Sequence, residues 1–252
     1  MILKQGLRTM IDSARQELIR ALPYARRFAR ALLGDQKAGD QLVAVALKSL
    51  MENPAGELPP RFRLYGLLVR EFAAQVPENV AGMSVIQRAL LLLTSLEEQS
   101  LSSAAQALDL PEDVAAEELT EARKGLKGIA QTSVLIIEDE PIIAMDIQDL
   151  VERCGHRIAG VAHTESDAVK LADETKPGLI LADINLGGGG DGMQAVGRIL
   201  RHHQAPVIFV TAYPERLLTG EAQEPSFVIT KPFEPMTLAV ATYQAVTGGV
   251  NV

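Results

Sequence analysis

Four places along the chain carry side chains whose types could do chemistry together. Ser133-Val134-Leu135-Ile136-Ile137 is a short apolar run that ends abruptly in three carboxylates, Glu138, Asp139 and Glu140. Further on, apolar runs end in Asp183, in Thr211 and in Lys231. Three adjacent acids repel one another and are poor strand formers. The fold is therefore expected to use them, and a divalent cation is the obvious candidate. Three carboxylates with a backbone carbonyl and waters suit an octahedral Mg²⁺. A carboxylate can also attack phosphorus as a nucleophile and form an acyl phosphate. A metal would neutralise charge on the incoming phosphoryl oxygens, a lysine could pair with another of them, and a threonine hydroxyl could donate to a third. A hydrolase would need a positioned water or base as well, and the sequence offers no further candidate.

These residues need elements to position them. The run 133–137 reads as a strand buried on both faces. Helix 142–154, strand 157–162, helix 166–175 and strand 179–182 follow, then Asp183, Ile184, Asn185, Leu186 and four glycines, 187–190. Helix 192–203, strand 206–210, a short helix around 214–219, strand 226–229 and helix 235–245 complete the pattern. Glu140 is assigned to the start of the first of these helices, just before Pro141. Five short apolar strands alternating with helices predict a doubly wound five-stranded parallel sheet. Open sheets of this kind bind ligands outside the carboxyl ends of their strands. Glu138 and Asp139, Asp183, Thr211 and Lys231 all fall at such ends, while strand two contributes no charged group there. The four-glycine stretch lacks the Gly-Lys-Ser/Thr ending of a P-loop and reads as a mobile connection.

Residues 132–250 resemble a response-regulator receiver domain, on the strength of these five positions in order and of Lys231-Pro232. The resemblance implies that Asp183 is the phosphoacceptor. It implies that Glu138 and Asp139 help hold Mg²⁺ together with Asp183 and the backbone carbonyl of Asn185. Thr211 is then the switching hydroxyl and Lys231 the phosphate partner. Val228 stands where the family has an aromatic late in strand five, with Phe227 beside it, and Tyr213 is the alternative switching aromatic. His156, His163 and the pair His202-His203, which ends a helix, read as ordinary structural residues. Cys154 reads as buried filler at a helix end.

The first half is helical. Leu18, Ile19, Leu22, Ala25, Phe28, Ala29 and Leu32 recur at helical spacing over 11–33, with Arg15, Arg20, Arg26, Arg27 and Arg30 between them. Pro23 is expected to break or kink that helix. A second helix covers 36–51, the Pro/Gly-rich stretch 53–60 is a loop, and helix returns over 61–74. After a second breaker-rich stretch, 75–83, Ser84 and Gln87 form a capping-box pattern for a helix through Thr94. A short helix over 103–108, a turn at Asp109-Leu110-Pro111 and a helix over 112–126 have helix-turn-helix spacing.

Residues 1–127 accordingly form two helical pieces, about 11–74 and 84–127, and they resemble the extracytoplasmic-function class of bacterial sigma factors. Leu22 to Asp35 is similar to the start of the family's second region. Ile86 to Leu92 and Ser102 to Leu108 are similar to its fourth region. The last helix departs from a DNA reader: its first three turns carry Glu112, Asp113, Glu117, Glu118 and Glu121, which a phosphate backbone would repel. An all-α sigma-like domain followed by an α/β receiver resembles the PhyR family of general stress response regulators. That resemblance implies a phosphorylation-activated anti-anti-sigma factor that mimics a sigma factor and sequesters an anti-sigma factor of the NepR type. A sensor histidine kinase or phosphotransfer protein would supply the phosphoryl group. The rival reading is a DNA-binding response regulator that acts at promoters through the helix-turn-helix, and another is a phosphatase that turns over at Asp183. The expectation is a regulator and not an enzyme.

Composition narrows the setting. The chain has 252 residues, 47% of them hydrophobic, and a net charge of −8, so a packed core is expected and global disorder is not. Residues 1–127 hold 16 basic and 16 acidic side chains, and 128–252 hold 8 and 16, so the whole acidic excess lies in the second half. Neither half has the basic surplus of a protein that wraps nucleic acid. One cysteine, no signal-peptide pattern and no apolar run of spanning length predict a cytoplasmic protein with no membrane partner.

Overall fold

The computed structural model describes residues 2–53, 56, 58–77, 79–80, 82–126, 131–212, 214, 217, 225 and 227–247. It divides into two compact units, Met1–Ala122 and Arg123–Asn251. Among the described residues, no helix is long and apolar enough to cross a membrane.

The first unit is helical. Helix α1 (Ile2–Leu33) runs through Pro23 without a break. A proline removes one N–H from the ladder, but the turns that follow are locked in place, with Ala25, Phe28, Ala29 and Leu32 fully buried. Asp35 caps α2 (Gln36–Glu52) by accepting from the Ala38 amide, and Pro60 occupies the first turn of α3 (Pro60–Ala73), where its missing donor costs nothing. The stretch read as loop before Ser84 holds a small antiparallel pair, β1 (Asn79–Val80) with β2 (Met83–Ser84).

The capping box of Ser84 and Gln87 is present at the start of α4 (Val85–Leu91). The helix then widens into a π-helical segment, Leu92–Leu96, where the expectation was plain α-helix through Thr94. Ser100 caps α5 (Leu101–Ala107), which the turn at Asp109 (φ 55°) connects to α6 (Glu112–Gly125).

Arginines that seemed to lie between the apolar stripes of α1 are inside the unit. Arg30 is fully buried, and its Nη2 donates to both oxygens of the Asp40 carboxylate, at 2.8 and 2.9 Å. Arg26 reaches the same carboxylate from the next turn, at 3.0 Å. Burial alone would raise the Asp40 pKa, but hydrogen bonds from Arg26 and Arg30 outweigh it and hold the carboxyl below its usual range. Arg27 Nε donates to Glu97 at 2.9 Å with both side chains buried, and a second guanidinium nitrogen reaches the Leu96 carbonyl at 2.8 Å. Tyr65 of α3 donates to the other oxygen of Glu97 at 3.2 Å and meets the Phe28 ring edge-on. The two expected helical pieces are thus sewn together by a polar knot from α1, α3 and the end of the π-helical segment.

The second unit is a five-stranded parallel sheet: β3 (Ser133–Ile137), β4 (Arg157–Ala162), β5 (Leu179–Asp183), β8 (Val207–Thr211) and β9 (Phe227–Thr230), in the order β4-β3-β5-β8-β9. Leu135 and Ile137 point to one face, with Ala168 and Ala172 of α8 (Glu165–Thr175) and Ala195, Val196 and Ile199 of α9 (Gly192–Ile199). The alternate residues Val134 and Ile136 are equally buried, and the opposite face carries α7 (Pro141–Arg153) and α10 (Pro235–Val246). Sheet order reverses direction between β3 and β5, the switch point at which such folds bind ligands. The short helix expected near 214–219 falls mostly outside the described residues.

The four glycines do not form a loose connection. Asn185–Leu186 (β6) and Gly190–Asp191 (β7) pair antiparallel, with one 3₁₀ turn, Gly187–Gly189, between them. Gly188 takes the left-handed conformation (φ 71°) that this turn requires. Helix α9 ends at Ile199, so His202 and His203 lie past it, and the His203 ring is hydrogen-bonded to the Pro177 carbonyl at 2.7 Å.

Candidate functional site

Each strand end delivers its residue because the sheet is parallel. The apolar run of β3 is buried to its last residue, so the chain emerges at the carboxyl rim only at Glu138 and Asp139. Asp183 is the last residue of β5, beside β3, and Thr211 is the last residue of β8. In β9, Thr230 pairs with Thr211, and the Lys231 amide extends the ladder by donating to the Thr211 carbonyl at 2.8 Å. The Lys231-Pro232 peptide is cis.

The side chains converge. Lys231 Nζ donates to Glu138 Oε2 at 2.7 Å and to Asp183 Oδ2 at 2.8 Å. Oδ1 of Asp183 accepts from the Ile184 amide at 2.6 Å and the Asn185 amide at 3.3 Å. Glu138 is fully buried, and its Oε1 accepts from the Glu140 amide at 3.3 Å. Asp139 Oδ2 accepts from the Gly187 amide at 2.8 Å. Thr211 is buried and Asn185 exposed. Glu140 occupies the N-cap position of α7 without a side-chain capping bond, and Pro141 follows it in the first turn.

Charge is unevenly offset here. Burial pushes the Glu138 carboxyl above its usual value, and Asp183 adds to that while Lys231 opposes it. Burial would lower Lys231, but its bonds to Asp183 and Glu138 win and raise it. Three carboxylates against one ammonium leave a negative centre. Oxygens from Glu138, Asp139 and Asp183 lie within 4.8 Å of one another, and all three donors are hard oxygen ligands. That donor set fits a small hard cation such as Mg²⁺, with no sulfur or imidazole nitrogen to favour a softer metal.

Two glycines let the ribbon close on this centre. A Cβ at residue 192 would stand 1.8 Å from the Asp183 carbonyl oxygen, and one at 187 would stand 2.6 Å from Asp139 Oδ2. Only a bare backbone can pass so close to both acids.

Sequence reasoning missed part of the rim. Strand β4 was expected to contribute no charged group, and the histidine that directly follows it was read as an ordinary structural residue; the imidazole Nδ1 of His163 lies 2.7 Å from the Glu138 carbonyl oxygen. The signal was a histidine next after a strand whose last residue, Ala162, is buried, and its meaning depended on the β3–β4 register. The amide of Gly187 was missed because backbone donors have no sequence signature. Tyr213 lies outside the described residues, and Phe227 and Val228 are both buried in β9. Cys154 sits half-buried at the end of α7, its thiol pushed up by burial.

Comparisons with known proteins place each part. Residues 134–243 match the family described as response regulator receiver domain, and residues 18–69 match the sigma2 domain of PhyR. The phyllosphere-induced regulator PhyR of Methylorubrum extorquens is 41% identical over 251 residues, covering 92% of this chain and 94% of the relative. The crystal structure of the response regulator PhyR from Brucella abortus superposes with a TM-score of 0.84 at 38% identity, covering 92% of this chain and 93% of that one. Anti-anti-sigma factor PhyR from Bartonella quintana gives 0.81 at 37% identity, covering 90% and 93%. A helical unit with a sigma2 domain, a receiver sheet with its acids gathered at one rim, and relatedness along nearly the whole length agree: this chain belongs to the PhyR family.

Proposed function

We propose that the chain is a phosphorylation-activated anti-anti-sigma factor. Phosphorylation of Asp183 frees the sigma-like helical unit to sequester an anti-sigma factor of the NepR type by sigma mimicry, and the stress sigma factor is released. The observation that carries this reading is the Lys231 bridge between Asp183 and Glu138, in a chain whose other unit matches the sigma2 domain of PhyR. A relative 37% identical is itself described as an anti-anti-sigma factor. The helix-turn-helix spacing does not favour DNA binding, because Glu112, Asp113, Glu117 and Glu121 form an exposed acidic face on α6.

In this reading Asp183 is the nucleophile. One carboxylate oxygen attacks the phosphorus of a phosphohistidine on a sensor kinase or phosphotransfer protein; the new O–P bond forms as the N–P bond breaks. Glu138, Asp139, Asp183 and the Asn185 carbonyl would hold Mg²⁺, which when bound neutralises charge on the phosphoryl oxygens. Lys231 exchanges one carboxylate for a phosphoryl oxygen, and the Thr211 hydroxyl donates to another. The product adds about −1.5 to −2 charges at one strand end, and this local change biases which state of the molecule is favoured. The chain acts as a regulator in the cytoplasm and not as a turnover enzyme.

The test is binding of a NepR-type anti-sigma protein to the full chain, with and without a phosphodonor and Mg²⁺. Capture is expected only with the donor, and Asp183→Ala is expected to abolish it. Donor-dependent capture by that variant would remove Asp183 from its role, and capture of promoter DNA instead would favour the rival reading.

A further inference from the structure

Glu138 and Asp139 are consecutive residues doing one job, so the peptide between them must be held at a fixed tilt. Its surroundings contain two donors that the receiver chemistry does not require. The β3–β4 ladder continues past Ile137 with a rung from the Glu138 amide to the Ala162 carbonyl, at 2.9 Å. One residue further along, His163 Nδ1 approaches the Glu138 carbonyl oxygen at 2.7 Å. A carbonyl only accepts, so Nδ1 must carry the proton, and the imidazole is a donor at this contact. On the other side the Gly187 amide donates to Asp139 Oδ2 at 2.8 Å.

We propose that His163 is a positioning residue for the acid pair: its imidazole stands in for the next strand donor, pins the Glu138 carbonyl, and so sets where the Asp139 carboxylate points. The contact acts on the peptide plane itself. Rotation of the Glu138–Asp139 peptide would swing the Asp139 side chain away from Asp183 and from the Gly187 amide. With the carbonyl pinned by His163 and Oδ2 by Gly187, Asp139 is fixed from both ends. Hydrogen-bond partners of this kind, one step removed from a metal, are commonly worth 10- to 100-fold in metal affinity. His163 itself is exposed and belongs to no cluster of metal-binding side chains among the described residues, so its effect is geometric. The inference rests on the reading of Glu138 and Asp139 as metal-binding residues.

The experiment is calorimetric titration of Mg²⁺ into the full chain without phosphodonor, comparing the parent with His163→Ala, His163→Phe, His163→Asn and Asp139→Ala. Circular dichroism melts of each variant verify the fold. His163→Ala and His163→Phe are expected to weaken Mg²⁺ binding about tenfold. His163→Asn carries an amide N–H near the place of Nδ1 and is expected to recover most of the loss. The concentration of Mg²⁺ needed for half-maximal phosphorylation should shift in parallel. Binding by His163→Ala within about twofold of the parent overturns the proposal, as does an asparagine variant no better than the phenylalanine one. If Asp139→Ala binds Mg²⁺ as well as the parent, the metal reading itself fails and takes the proposal with it. Loss in Asp139→Ala with no change in His163→Ala sinks only the role of His163.

Discussion

His156 and His163 stand at the two ends of β4, and the fold uses them in opposite ways. His163 donates through Nδ1, whereas His156 accepts there, from the Thr132 amide at 3.3 Å. The His156 ring is buried, its Nε2 lacks a hydrogen-bond partner among the described residues, and burial lowers its pKa below the usual imidazole value. The unfolded chain therefore binds this proton more readily than the folded one, and stability rises with pH across the interval between the two pKa values. The receiver is expected to lose stability as pH falls below about 6.5, the unfolded value. Hydrogen exchange of receiver peptides at pH 7.5 and 5.5 measures this, and His156→Leu should flatten the difference. At this scale the sequence was readable where a residue's type and its place at a strand end sufficed, as for Asp183 and Lys231. It was not readable where the role came from a neighbour in the sheet. Both histidines look alike in the sequence, and only the register of β4 on β3 assigns one to the core and the other to the rim.

Among elements, the glycine ribbon changed most between expectation and structure. Four successive glycines predicted slack, because glycine has the greatest freedom to lose. The paired ribbon instead uses their missing side chains for close approach. Gly192→Ala would drive a methyl into the Asp183 carbonyl, since even an ideal Cβ would lie 1.8 Å from it. The strand end must shift, and an ångström of misplacement at a reacting atom costs about 100-fold in rate. Phosphorylation of that variant from a small-molecule donor is expected to slow by about that factor with little change in circular dichroism. Helices and parallel strands were legible because their apolar periods are strong and local. The widening of the helix at Leu92–Leu96 and the pairing of β1 with β2 were not, since both answer to packing around them rather than to their own pattern.

For the helical unit as a whole, the decisive contact is the knot of Arg27, Tyr65 and Glu97. Glu97 Oε1 and Oε2 each have a partner from a different helix. Burial alone would lower the Arg27 pKa, and attraction to Glu97 more than offsets this and raises it. Glu97→Ala leaves the buried guanidinium without its counter-charge, a change that costs about 3 kcal/mol for buried pairs. Hydrogen exchange should accelerate in peptides from α1 and α3 while receiver peptides keep their rates. Periodicity revealed two helical pieces but not that they share one interior, because a charged pair separated by 70 positions leaves no local trace.

The bond between Lys231 and Glu138 spans 93 positions, from just past the first strand of the receiver to just past its last. On the ribosome this sets an order of events. The helical unit is complete at about residue 122, and Lys231 is added only some hundred residues afterwards. At roughly 10 residues per second that interval is about 10 s. Each newborn chain therefore holds the whole sequence of its sigma-like unit well before it owns the lysine that closes the site proposed to govern it.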